Sequence, residues 1–429
     1  MEYHRSDRSA KRNGHIMKMI TDQLVETTPF VERQSHDGAS ASFVGPRSDF
    51  RMVALIILWC VMAGQARSEE PRAVEFLRRA RSETSGRVLS PPQWTQLDLT
   101  VDNGLKYLAT QQEADGSFPT LPHAKPGVTG LCILAFLSRG HLPNEGPYGR
   151  HLQLAVEYIL SVQRQDGLFT NQPVEATLTS HGVSHVAMYN HGICGLMLSE
   201  LYGTTGSFQN ESVRKAIVKG LAFSQARQSQ TSVLGKVTGG FDYLIPSRSH
   251  PGLDLPITSC HLLFFRSAKN AGFDVPADCA LDAMRYVKSC YDAKGHTFSY
   301  RDQQTFSRGL TGCGILALSL AGEYETEMAR DAGDWLLEQS FEQFNRSRSG
   351  HDRYFYSAYY CSQAMFQLGG RYWNRYYPPV LATLAKHQRA DGGWDREFGD
   401  TDRYGNAYSS SLAILALTPP YQLLPIFQR

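Results

Sequence analysis

The sequence predicts an all-α fold in which six helix pairs stack side by side and close into a ring. Three observations predict it. First, a short pattern recurs along the chain: an apolar helix, a Gln, a Gly turn, an aromatic, then a second apolar helix. Its clearest copies read Gln112-Glu-Ala-Asp-Gly-Ser-Phe118, Gln165-Asp-Gly-Leu-Phe169 and Gln388-Arg-Ala-Asp-Gly-Gly-Trp394. Weaker copies stand at Gly239-Gly-Phe241, Gly295-His-Thr-Phe298 and Tyr354-Phe-Tyr356. Second, the later helix of each pair is apolar nearly all round, as in Gly130-Leu-Cys-Ile-Leu-Ala-Phe-Leu137 and Gly314-Ile-Leu-Ala-Leu-Ser-Leu320. Such a helix is buried on both sides and belongs to an inner ring. Third, Cys132, Cys194, Cys260, Cys313 and Cys361 fall at one repeating position of successive inner helices, with Ser411 in the sixth. A closed ring of helix pairs leaves a central cavity, and a functional site is expected there.

Taken in order, the 429 residues begin with a stretch rich in Ser, Arg, His and Asp and without apolar period. Residues 1–51 therefore read as disordered, or as an extension ahead of the true start near Met52. The run Met52-Val-Ala-Leu-Ile-Ile-Leu-Trp-Cys-Val-Met-Ala63, followed by Gly64-Gln65-Ala66, has the form of a secretory signal over 52–66. It is shorter than the ~20 apolar residues a membrane span needs. Export to the periplasm, the cell envelope or the medium is expected, with no transmembrane segment in the mature chain. Residues 67–96 read as a linker and leading helix, and 97–429 as the repeat domain. The chain is 42% hydrophobic and 20% charged with a net charge of +2. No basic stripe stands out, so nucleic acid is not an expected partner.

In the clearest copies Asp-Gly stops the first helix, because Gly takes the left-handed conformation without steric cost and Asp bonds the local backbone. The aromatic that follows is expected to plug the gap between neighbouring repeats. The recurring Cys admits two readings, a ring of reactive thiols or a small soft residue where inner helices pack closely; the second is preferred. Equivalent points on packed helices lie ~8–10 Å apart, whereas a disulfide needs Cα atoms within about 7 Å. Cys279 and Cys290 share one outer helix and lie too far apart along it to pair.

These repeats resemble the QW-type repeats of the squalene–hopene cyclase and protein prenyltransferase superfamily, over about the last 330 residues of the chain. The resemblance implies an (α/α)6 toroid with an apolar central cavity. The segments Met188-Tyr-Asn-His-Gly-Ile193, Glu200-Leu-Tyr-Gly203, Ala364-Met-Phe-Gln-Leu-Gly-Gly370 and Leu423-Leu-Pro-Ile-Phe427 look closer to exported squalene-cyclase-like repeat proteins of unassigned activity. The family's chemistry does not carry over intact. Cyclases protonate an alkene with a crowded Asp-x-Asp-Asp-Thr set; here Asp254-Leu-Pro-Ile-Thr258 keeps one carboxylate. The bland reading of Asp254 is a helix N-cap with Pro in the first turn. Prenyltransferases hold zinc with Asp, Cys and His; the matching positions are Thr311, Cys313 and Ser357, and only the Cys survives. A complement-type thioester is excluded because Gly312-Cys-Gly-Ile-Leu316 lacks the Glu-Gln pair.

What remains is a candidate binding cavity. Candidate catalytic residues are Asp254, His185 and His191. Candidate ligand-binding residues are Tyr189, Thr258, His261, Cys313, Tyr356, Tyr359, Tyr360 and Tyr408. His181 and His185 have the i,i+4 spacing of a metal pair, but no carboxylate completes the set, and neither a metal nor a cofactor is expected. Tyrosines and phenylalanines of the fifth inner helix are read equally as a cation-stabilising wall and as core packing. The acids Asp391, Asp395, Asp400 and Asp402 are read as a solvated loop. The expected partner is an apolar, isoprenoid-like ligand or an envelope component, held without the family's usual catalysis. The alternatives are an active cyclase or transferase with a non-standard acid, and a rigid scaffold for protein or glycan.

Overall fold

The computed structural model describes residues 89–204, 211–230, 239–247, 252–301, 305–346, 352–399 and 402–428. The expectations for 1–51 and 52–66, and for most of 67–96, lie outside the described residues. Among the described residues twelve α-helices alternate between two rings. The outer ring holds α1 (Pro91–Gln111), α3 (Gly149–Ser161), α5 (Glu211–Gln230), α7 (Ala277–Ser289), α9 (Glu327–Leu337) and α11 (Gly370–Lys386). The inner ring holds α2 (Lys125–Leu137), α4 (Val183–Thr204), α6 (Leu255–Asn270), α8 (Arg308–Leu320), α10 (Tyr354–Leu368) and α12 (Gly405–Leu417). A two-stranded hairpin, β1 (Tyr291–Asp292) with β2 (Thr297–Phe298), replaces the simple turn after α7. Each inner helix packs on the next, and α12 returns to α2, so the ring closes.

Helix burial follows the sequence pattern. Every residue of α2 from Pro126 to Leu137 is buried. In α9 only Ala329, Ala332, Gly333 and Leu336 are buried, one stripe at i, i+3, i+4 and i+7. In four of the repeats a Gln ties the turn to the following outer helix. Gln112 Nε2 donates to the carbonyls of Gly116 (2.9 Å) and His151 (2.8 Å). Gln388 does the same to Gly392 (2.7 Å) and Thr100 (2.8 Å), which joins α11 to α1 and seals the outer ring. In the second copy this role belongs to Gln163, which reaches Gly167 and Ala216, and not to Gln165. The i to i+4 offset from Gln to the turn Gly is what selects it. In the third copy Gln228 reaches Gly239 and Cys279.

The turn aromatics fill the joints between the rings. Phe118, Phe169, Phe241, Phe298 and Trp394 are all buried. The N–H groups of Phe118, Phe241 and Phe298 donate to the hydroxyls of Thr129, Thr258 and Thr311, and that of Trp394 to Ser410. The fifth copy is corrected: Tyr354–Tyr356 are the first turn of α10 itself, not a turn aromatic.

The recurring cysteines are packing residues. Cys132, Cys194, Cys260 and Cys361 each direct their sulfur at a carbonyl of the preceding inner helix, at Ala407, Pro126, Tyr189 and Arg308 respectively. Glycines opposite make room. A Cβ on Gly192 would come within 2.7 Å of Cys260 Sγ, and one on Gly312 within 3.0 Å of Cys361 Sγ. All the described cysteines are free, and burial pushes these thiols up, so they stay protonated.

Candidate functional site

The ring encloses a cavity of about 660 Å³. Its two ends differ. Toward the middle of the inner helices it is apolar, lined by Leu131, Leu134, Ile193, Leu196, Leu263 and Leu412. Toward their N-terminal starts it is polar, lined by His185, Tyr243, Tyr300, Arg301, Arg353 and Tyr404. Among the described residues no carboxylate is one of the lining side chains.

The opposite end is closed by the chain's own C-terminus. The short 3-10 turns Pro419–Tyr421 and Pro425–Phe427 lie across the C-terminal ends of inner helices. Ile426 N–H donates to Glu200 Oε2 (3.2 Å) at the end of α4, and Ser267 of α6 donates to Glu200 Oε1. Gln367 Nε2, at the end of α10, donates to the Phe427 carbonyl (2.9 Å). Two segments singled out in the sequence, Glu200–Gly203 and Leu423–Phe427, thus meet in this seal. Burial holds the Glu200 carboxyl up at about 7, against the bonds from Ser267 and Ile426 that favour its charge.

At the polar end, one buried carboxylate organises the wall. Asp254 caps α6, accepting from Ile257 N–H at 2.9 Å through Oδ1. The same oxygen accepts from Tyr189 OH (3.3 Å). Oδ2 accepts from Tyr300 OH (2.6 Å) and Arg301 Nη2 (3.3 Å). Tyr300 is in turn 2.6 Å from Tyr243 OH. Arg301 also donates to Asp242 (2.6 Å) and to the Gly252 carbonyl (2.9 Å), and lies over the Tyr243 ring at 4.4 Å. Burial alone would lower the Arg301 guanidinium, but Asp254, Tyr300 and Asp242 outweigh it and hold it fully charged. Burial pushes the Tyr243 hydroxyl up to about 12, with Asp254 adding to the effect. His185 packs its ring on Tyr243 at 4.3 Å. Burial, with His181 nearby, lowers His185 to about 4, so it is neutral near pH 7.

The expected site residues divide accordingly. Tyr189, Tyr356, Tyr359, Tyr360, Tyr408 and His185 line the cavity. Asp254 stands one tyrosine behind the wall, fully buried. Four expectations are corrected. His191 faces away from the cavity, with Nε2 3.1 Å from the Gly220 carbonyl and 3.0 Å from Ser224 Oγ, in the joint of α4 with α5. His261 lies in the same joint, 3.1 Å from Ser224 and stacked on Phe241 at 4.0 Å. Thr258 is the anchor of the Phe241 N–H. Cys313 is buried behind Tyr356, with its sulfur 3.0 Å from that hydroxyl. In each case an inner-helix residue near the cavity by sequence turns by helical phase into a helix joint.

Tyr243, Tyr300 and Arg301 were not singled out by sequence. A signal existed: Tyr243 and Tyr300 each stand two residues after a turn aromatic, Phe241 and Phe298. That short extended stretch leads to an inner-helix start, and so to the cavity's polar end. The zinc-set positions are otherwise engaged: Thr311 accepts from Phe298 N–H and Ser357 donates to Asp352. Among the described residues no group of three or more His, Cys, Asp or Glu is placed to hold a metal ion. Asp391 and Asp395 pair with Arg389 at the surface. No helix among the described residues is long and apolar enough to cross a membrane.

No protein-family model and no curated protein matches the sequence. Solved structures do match the fold. A substrate-bound variant of the type II terpene cyclase MstE from Scytonema, in complex with geranylgeranyl dihydroxybenzoate, has a TM-score of 0.52 at 12% identity, over 78% of this chain and 100% of that one. The chain is an (α/α)6 toroid. An inactive variant of an α-1,6-mannanase from Salegentibacter, bound to α-1,6-mannotriose, matches this toroid at a TM-score of 0.54 and 10% identity, over 76% and 99% of the two chains. The GH76 α-mannanase of Bacteroides thetaiotaomicron gives 0.51 and 12%, over 77% and 95%. At such identities the shared feature is the fold, and function has to be argued from the site.

Proposed function

We propose that the protein is exported and holds an apolar, isoprenoid-like ligand in the toroid cavity, without the proton-initiated or zinc chemistry of the superfamily it resembles. One observation carries this reading: the cavity is open and apolar over its inner part, yet among the described residues no carboxylate lines it. A glycosidase of the usual kind needs two carboxyls flanking the scissile bond, and a cyclase needs an acid that can donate into the cavity. Asp254 is surrounded by four donors and is separated from the cavity by Tyr189 and Tyr300. Terpene-type ligands suit such a space, as the geranylgeranyl dihydroxybenzoate bound by the Scytonema cyclase illustrates for that enzyme. The export part of the proposal rests on residues 52–66 alone.

Native mass spectrometry of the chain expressed in full and purified from envelope lipids tests both parts. A reproducible added lipid mass is expected, together with a protein mass cleaved after Ala66. A bare chain that also ignores squalene-like lipids would favour the scaffold reading. Asp254→Asn is expected to keep the added mass; loss of turnover on any isoprenoid by this variant would instead establish the cyclase reading.

A further inference from the structure

The hydrogen bonds at the polar end of the cavity run in one direction. Every group around Asp254 donates to it: Ile257 N–H, Tyr189 O–H, Tyr300 O–H and Arg301 N–H. A phenol has one proton. The proton of Tyr300 is committed to Asp254, so at the 2.6 Å contact between the two phenols Tyr300 accepts and Tyr243 donates. Tyr243 then has no proton left to offer the cavity. Tyr189 is in the same position, because its proton also goes to Asp254. Arg301, one of the two guanidiniums at this end with Arg353, is engaged by two carboxylates and the Gly252 carbonyl.

We propose that this corner selects a ligand whose polar head donates a hydrogen bond: an isoprenoid-type alcohol in preference to the matching aldehyde, carboxylate or phosphate. The proposal deepens the reading given above and rests on it. An O–H head placed at Tyr243 meets an oxygen that can only accept, and the chain head–Tyr243–Tyr300–Asp254 is then satisfied at every step. A carbonyl or carboxylate in the same place sets lone pairs against lone pairs, and a buried acceptor left unmet is costly. The hydrocarbon tail extends toward Leu134, Leu196 and Leu263.

The test uses three probes of one chain length, geranylgeraniol, geranylgeranial and geranylgeranoic acid, titrated onto the full-length protein by equilibrium dialysis. The alcohol is expected to bind roughly tenfold more tightly than the aldehyde, the difference one buried hydrogen bond supports. Tyr243→Phe keeps the ring and removes the acceptor. It should bring the alcohol down to the aldehyde's affinity and leave the aldehyde unchanged. Equal binding of alcohol and aldehyde by the wild type, or tightest binding of the acid, overturns the proposal while leaving the cavity as a lipid site. If none of the three binds, the cavity reading fails and this inference falls with it. The alcohol-to-aldehyde ratio of the wild type decides the matter even if the variant does not fold.

Discussion

The two ends of the inner ring are built from the same six helices and behave oppositely. At the C-terminal ends a buried acid, Glu200, is bonded to Ser267 and to the chain's own tail at Ile426. At the N-terminal ends a buried acid, Asp254, is bonded to tyrosines whose oxygens face an open cavity. Both carboxylates are inaccessible to solvent. The difference lies in what their partners touch. A partner taken from the tail closes the barrel, whereas partners taken from the cavity wall leave a polar surface for something else to meet.

The largest expected effect breaks the closed end. Phe427 is buried among the C-terminal ends of the inner helices, and Phe427→Ala should cost about 3–5 kcal/mol in urea unfolding, with ligand capture impaired as the floor loosens. Tyr243→Phe at the open end should cost about 1 kcal/mol or less, since only a hydroxyl is removed. Similar losses from both would mean that the open end is load-carrying core rather than a binding surface.

A second measurement sharpens the contrast through pH. Glu200 sits at about 7 in the fold, above its ordinary value of 4.5, because burial disfavours its charge. Its contribution is therefore fully present below pH 4.5 and is lost as pH rises through 7. Glu200→Gln should match the wild type at pH 4 and exceed it by about 3 kcal/mol above pH 7. Parallel stability curves would show that the tail contact keeps Glu200 ionised. The buried His191, lowered to about 4 by burial, gives a slope of the opposite sense. Its contribution is present above about 6.5 and is lost as pH falls through 4.

A third comparison, with a smaller effect than the loss of Phe427 or of the Glu200 charge, concerns the ring that both ends share. Gly192→Ala would drive a methyl to 2.7 Å from Cys260 Sγ, between α4 and α6. A loss of about 1–3 kcal/mol is expected. Gly203→Ala, on the same helix, meets its nearest atom at an ordinary 3.5 Å, and should stabilise by up to about 1 kcal/mol through helix propensity. Thermal melts of the two variants compare a packed helix joint with an open position.

Much of this fold was legible in the residues. The Gln–Gly–aromatic punctuation, and inner helices apolar all round, specify helix pairs in two rings. The same signal misassigned a Gln in the second copy, since Gln163 and Gln165 precede one Gly and only the i to i+4 geometry separates them. The fifth aromatic failed because α10 has a tyrosine-rich first turn that imitates the motif. The site was less legible. Tyr189, Tyr356, Tyr359, Tyr360 and Tyr408 do line the cavity, because inner-helix tyrosines have it within reach. Thr258, His261, His191 and Cys313 were misplaced because a helix apolar on every side gives no phase with which to tell its cavity face from its joints.

The sequence by itself therefore determined the repeat and the two rings, because these follow from local turn chemistry and helix periodicity. Only the tertiary structure decided which end opens. It brought Tyr189, Tyr300 and Arg301 onto Asp254 and Tyr243 onto Tyr300, and laid the C-terminal tail on Glu200. Those contacts span tens to hundreds of residues, and hydrogen-bond direction between distant side chains leaves no trace in local pattern.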